Sequence, residues 1–215
     1  MKRTMAFCVL MFSAMALPGQ ADESTGALTI YTRFAHPPSA VSIGRMKTEL
    51  DAIMLPFNLR FDWRSLEQAN GHEVVAEVVV VNFKGACQVD TLVHGSSPIG
   101  TLGWTHIADG EILPFADVDC DKIRELMTTA LAVSPPAERE GLLGRAMARV
   151  LAHELYHFLA HTTKHASSGI AKASYTEAEL ASNCLRFDEA QLRLLREQKP
   201  HRQPGEAHGV AAIGE

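Results

Sequence analysis

The sequence predicts an α+β domain: one mixed, twisted β-sheet packed by an N-terminal helix and by a long helix around residue 150, with a further helix at the C-terminal end. Three observations carry that expectation. Runs rich in β-branched and aromatic residues fall at 27–34, 59–63, 74–83 and 112–118. Apolar residues recur at helical spacing over 39–54 and over 137–160. The order is strand, helix, several strands and then three helices, and the 215 residues suit a single domain. With 47% of residues apolar, the chain holds enough material for one sizeable core.

Each element has a local cause. Ala27 to Phe34 alternates apolar and polar residues, as a strand does, and His36-Pro37-Pro38 ends it. Ser39 is placed to cap a helix carrying Val41, Met46, Leu50, Ile53 and Met54 on one face, and Pro56 stops it. Leu59 to Trp63 reads as a second strand. Val74 to Phe83 is a near-continuous β-branched run, which implies burial on both faces. Glycines punctuate 85–110, with a short strand at 102–106, and Asp109-Gly110 has the composition of a two-residue hairpin turn before a strand at 112–118. A helix over 121–133 ends at Pro135-Pro136. The long helix of 137–160 follows, then a loop over 161–175. Thr176 caps a last helix, with Glu177 and Glu179 in its first turn and apolar positions running on through Leu180, Leu185, Phe187, Leu192 and Leu195.

The two ends are expected to lie outside that domain, which spans 22–197. Lys2 and Arg3 precede an apolar stretch from Met5 to Leu17, and Ala21 closes a small-residue cleavage site, so 1–21 reads as a signal peptide. Thirteen apolar residues are too few to span a bilayer. The mature product is therefore expected to be secreted or periplasmic, without membrane insertion. Its tail, 198–215, is rich in proline and glycine and is expected to be disordered. Net charge is −5, with no long basic run, which gives nucleic-acid binding no support. In an oxidising compartment, of the three cysteines beyond the signal, Cys87 and Cys120 flank the central strand region and are the expected disulfide. Cys184 falls on the apolar stripe of the last helix and reads as a buried free thiol.

The long helix carries His153-Glu154-Leu155-Tyr156-His157. Residues four apart share one helix face, so both imidazoles can reach a single zinc ion. Glu154 sits beside them as general base for water that zinc brings to a pKa of about 7. A catalytic zinc needs a third protein ligand and an open position. His161 continues the stripe, but eight residues along a helix span about 12 Å, too far for three imidazoles to converge at ~2 Å. His165, beyond the helix end, and Glu177, on the next helix, both remain candidates. Tyr156 points away from the histidine face and reads as packing, and His72, His94 and His106 read as solvent-facing residues in loops or at strand ends.

The stretch from His153 through Tyr175, with the sequence HELYHFLAHTTKHASSGIAKASY, resembles the extended motif of metzincin-like zinc peptidases. It is most similar to a bacterial secreted group with a third histidine eight residues after the second. The resemblance extends weakly to Gly103-Trp104-Thr105 and to 114–120. It implies a metzincin-like fold, Zn2+ as cofactor, His153, His157 and His165 as ligands and Glu154 as base. It also implies that Gly169 to Ala173 forms the turn beneath the metal, with Ala171 where the family carries methionine, and gives Tyr175 an oxyanion-stabilising role. The partner it implies is a peptide or protein substrate added along a sheet edge, offered by Val78 to Phe83 or a neighbouring strand. A non-catalytic zinc-binding protein on the same scaffold is the alternative that Ala171 suggests.

Overall fold

The computed structural model describes residues 27–89 and 100–198, so the expected signal peptide of 1–21, His94 and nearly all of the expected tail lie outside the described residues. Five strands form one sheet: β1 (Ala27–His36), β2 (Arg60–Ser65), β3 (Glu77–Ala86), β4 (Gly103–Ala108) and β5 (Glu111–Asp119). Their spatial order is β2-β1-β3-β5-β4. All neighbours are parallel except β4, which runs antiparallel to β5 at one edge. The β4–β5 hairpin turns on Asp109 and Gly110, both left-handed at φ 53° and 84°, as a type I′ turn requires.

Among the described residues, six α-helices accompany the sheet: α1 (Ala40–Met54), α2 (Cys120–Leu126), α3 (Thr128–Val133), α4 (Pro136–Leu159), α5 (Glu177–Ala181) and α6 (Glu189–Gln198). The expected caps form. Ser39 Oγ accepts from Ser42 N, and Thr176 makes a capping box with Glu179. The α+β domain is built as expected. Alternate residues of β1, β3 and β5 (Leu28, Ile30, Val79, Val81, Phe83, Val118) meet Met46 and Leu50 of α1 and Met147 and Leu151 of α4 in one core. Val80, on the opposite face of β3, is also buried, so the central strand is covered on both sides.

Cys87 and Cys120 form the expected disulfide, both fully buried, linking the segment after β3 to the start of α2. Closing a loop of 33 residues stabilises the chain by roughly 3–4 kcal/mol in the chain-entropy account. No helix among the described residues is long and apolar enough to cross a membrane.

Five expectations are corrected. The third strand begins at Glu77, and Val74 is exposed. The helix expected over 121–133 is two helices, broken at Met127. The last helix is also broken, between Ala181 and Glu189, and Cys184 lies in that break with an exposed thiol. The reason lies in hydrogen bonds from α4. Arg149 donates to the carbonyls of Glu179 and Leu180, and Arg145 to that of Ala181, taking acceptors that a continuing helix would need. Asp188 and Gln191 then cap each other's backbone N–H groups and start α6 afresh. Finally, Val78 to Phe83 lies in the third of five strands and offers no edge; the sheet edges are β2 and β4.

Candidate metal centre

The site is assembled on the last two turns of α4, where an apolar helix face meets β4. His153, Glu154 and His157 are all buried, with relative exposures of 7%, 4% and 7%. Each imidazole uses one nitrogen on the backbone. His153 Nδ1 lies 2.9 Å from Ile170 O, and His157 Nδ1 lies 2.7 Å from Thr162 O. Both carbonyls can only accept, so both Nδ1 atoms carry the proton and both Nε2 atoms present lone pairs. Those two Nε2 atoms stand 3.1 Å apart. Two facing lone pairs at that distance repel unless a cation lies between them. A tetrahedral zinc with bonds of about 2.0–2.1 Å holds its nitrogens about 3.3 Å apart, so the pair fits such an ion.

His165 completes the group. Its ring centroid is 5.1 Å from that of His153 and 4.9 Å from that of His157. One ligand atom from each of the three histidines lies within 4.8 Å of the others, and this is the one such cluster of metal-binding side chains among the described residues. The chain reaches His165 through an unusual helix exit. Ala160 ends α4, His161 adopts the left-handed conformation at φ 45°, and Thr162 N and His161 N bond back to His157 O and Phe158 O. That is a Schellman ending without glycine. It turns His161 out to solvent and directs the chain back over the site. Glu177 is engaged elsewhere: its carboxylate accepts from Ala130 N at 2.6 Å.

Burial governs the charge states. It drives His153 down to about 4, helped by the neighbouring His157 and His165, and it lowers His157 as well, so both imidazoles are neutral at neutral pH. Burial pushes the Glu154 carboxyl up to about 7, with the negative charge of Asp117 adding to the rise and the Thr105 hydrogen bond opposing it. Asp117 is itself held low: burial would raise it, but hydrogen bonds from Lys84 and His106 outweigh that effect. His106 lies within β4 with a side chain 42% exposed, as its solvent-facing reading expects, and also pairs with Asp117, its Nε2 2.9 Å from Asp117 Oδ2.

The strand β4 supplies contacts that α4 alone cannot. Thr105 Oγ1 lies 2.8 Å from Glu154 Oε2 and donates to it. A Cβ at Gly103 would come within 2.9 Å of Glu154 Oε1, Val150 Cγ1 and Asp117 O, so only glycine lets the strand approach this closely. A cleft of about 370 Å³ opens between β4 and the histidines, walled by Leu102, Trp104, Ile107, Val150 and Tyr175. The Tyr175 hydroxyl donates to Ile170 O and lies 3.2 Å from His153 Nδ1, on the side of that ring away from the Nε2 that faces His157. Ala171 is fully buried in the turn, its N–H directed at Gln191 Oε1.

Sequence reasoning names every side chain of the histidine cluster and Glu154. It misses Thr105 as the partner of Glu154 and the buried Arg149 that holds the following segment; the quoted Gly103-Trp104-Thr105 was the available signal for the first. No protein-family model and no curated protein matches the chain. Among solved structures, the chain is similar to an archaemetzincin from Methanopyrus kandleri, at 13% identity and a TM-score of 0.49, over 83% of this chain and 98% of that one.

Proposed function

We propose that the chain is a secreted zinc-dependent hydrolase that cleaves peptide bonds. The observation that carries this reading is the convergence of three histidines, two of them fixed in the Nδ1–H form, beside a buried carboxylate at the wall of an open cleft. His153, His157 and His165 would hold the ion; zinc bound there supplies Lewis acidity toward a carbonyl oxygen and toward water. Glu154 is the proton carrier. Its carboxyl, near 7, takes a proton from attacking water and returns one to the departing amine at neutral pH. Thr105 keeps that carboxylate turned to the cleft.

An extended peptide would lie along the free edge of β4, whose outer backbone groups have no strand partner among the described residues. The disulfide suits an oxidising compartment and thus the proposed export after the signal sequence of 1–21. The substrate is accordingly a peptide or protein met outside the cytoplasm, and neither nucleic acid nor membrane insertion enters the reading.

The test is Glu154→Gln, which keeps the shape of the side chain and removes the base. Zinc content should be unchanged, while cleavage of a peptide library falls about 10²–10⁴-fold. Full activity in that variant defeats the proposal. A wild-type protein that binds zinc but cleaves nothing in a broad library points instead to a zinc-binding interaction protein on this scaffold.

A further inference from the structure

We propose that Tyr175 is a positioning residue for His153, reinforcing from behind the Nδ1–H tautomer that the Ile170 carbonyl sets and holding the ring angle of this candidate ligand; the inference rests on the zinc reading of the site. The geometry is a closed triangle. His153 Nδ1 lies 2.9 Å from Ile170 O and 3.2 Å from Tyr175 Oη, and the Tyr175 hydroxyl donates to the same Ile170 carbonyl. A phenol has one proton, and here it is spent on Ile170 O. Toward His153 the phenol oxygen can therefore only accept. Both oxygens around Nδ1 demand a proton on that nitrogen, which leaves Nε2 free to bind metal. The Tyr175 ring stands at 80° to the imidazole, with centroids 5.9 Å apart, and limits its rotation.

The hydroxyl stays where it is because Tyr175 rides on a segment pinned at several points. Gln191 Nε2 donates to Ser168 O at 2.6 Å, and Gln191 Oε1 accepts from Ala171 N. Arg149, one helical turn before His153, donates to Glu179 O and Leu180 O at 2.8 Å. The helix that carries the ligand thus also anchors the segment that orients it. His157 lacks the hydroxyl contact: its Nδ1 has Thr162 O, and the adjacent Tyr156, whose ring stands at a similar centroid distance of 5.8 Å, makes no hydrogen bond to it. Among the described residues, Tyr175 is the one side chain hydrogen-bonded to the Nδ1 of a candidate ligand.

The experiment compares Tyr175→Phe, which keeps the ring and removes the hydroxyl, with Tyr156→Phe as a control near the other ligand. Zinc affinity is measured by chelator competition, and the His153 Nδ1–H resonance is followed by nitrogen-edited NMR in the metal-free protein. Tyr175→Phe should bind zinc about 10–100-fold more weakly, with faster solvent exchange of the His153 proton, while Tyr156→Phe matches wild type. Unchanged affinity with an unchanged His153 resonance overturns the proposal, and so does an equal loss in both variants. Failure of the wild-type protein to bind zinc defeats the zinc reading instead, and the His153 resonance in the metal-free protein still decides what Tyr175 does.

Discussion

Replacing Glu49 with glutamine removes the negative charge at the centre of the electrostatic node that joins α1, α4 and the segment beyond the metal centre. Glu49 Oε1 accepts from Arg149 Nη2 and Arg186 Nη1, each at 2.9 Å, and from Arg149 Nε at 3.2 Å. Arg149 has no solvent exposure and Glu49 has 5%. Glutamine cannot compensate a buried guanidinium, and breaking a buried pair at one partner costs about 3–5 kcal/mol. At about 2–4 °C per kcal/mol for a domain of this size, the melting temperature should fall by roughly 6–20 °C. The effect also depends on pH. Burial alone would raise the Glu49 carboxyl, but the hydrogen bonds and charges of Arg149 and Arg186 outweigh that and hold it below the ordinary 4.5. A carboxyl depressed in the folded state contributes stability that is present above its unfolded value and lost as pH falls through the folded one. The difference in unfolding free energy between wild type and Glu49→Gln should therefore be full at pH 7 and shrink below about pH 4.5. Urea unfolding monitored by circular dichroism across that range measures it. A difference below 1 kcal/mol at pH 7, or one that does not change down to pH 3, refutes the assignment of this stability to the Glu49 charge.

Two further substitutions follow from the site. His161→Gly relieves the left-handed residue at the α4 exit and should raise stability by about 1 kcal/mol, with zinc stoichiometry unchanged; a loss of zinc would give His161 a ligand role that its outward position denies. Gly103→Ala places a methyl against a backbone carbonyl and the Glu154 carboxylate, so β4 must retreat at a cost of about 1–3 kcal/mol. Peptide cleavage should fall while zinc is retained, and wild-type turnover in a well-folded Gly103→Ala protein would show that close approach of β4 is dispensable.

The parts of the molecule that are legible in the sequence are those set by short-range physics. The four-residue spacing of His153 and His157 on a helix with an apolar face fixes their common direction before any tertiary contact is considered. Ser39, Thr176 and Asp109-Gly110 announce their caps and turn by side-chain chemistry alone. What escapes is set by contacts between distant segments. The apolar periodicity through Leu185 and Phe187 predicts an unbroken last helix because both residues are indeed buried, though from an irregular chain. The Asp188 to Gln191 capping box was the local signal against it. Arg149 reads as an ordinary polar position in a helix, yet it is fully buried because carbonyls 30 residues away and Glu49 100 residues away meet it. The hydrogen bond from Thr105 to Glu154 has the same origin: strand order puts β4 at the edge beside α4, and no local pattern encodes strand order.

Metal content decides whether the three histidines hold a zinc ion. Elemental analysis of the purified mature protein should find one zinc per chain, retained in Glu177→Ala and lost or strongly weakened in His165→Ala. Absence of bound zinc in the wild-type protein, or release of the metal by Glu177→Ala with retention in His165→Ala, would contradict a zinc site of three histidines.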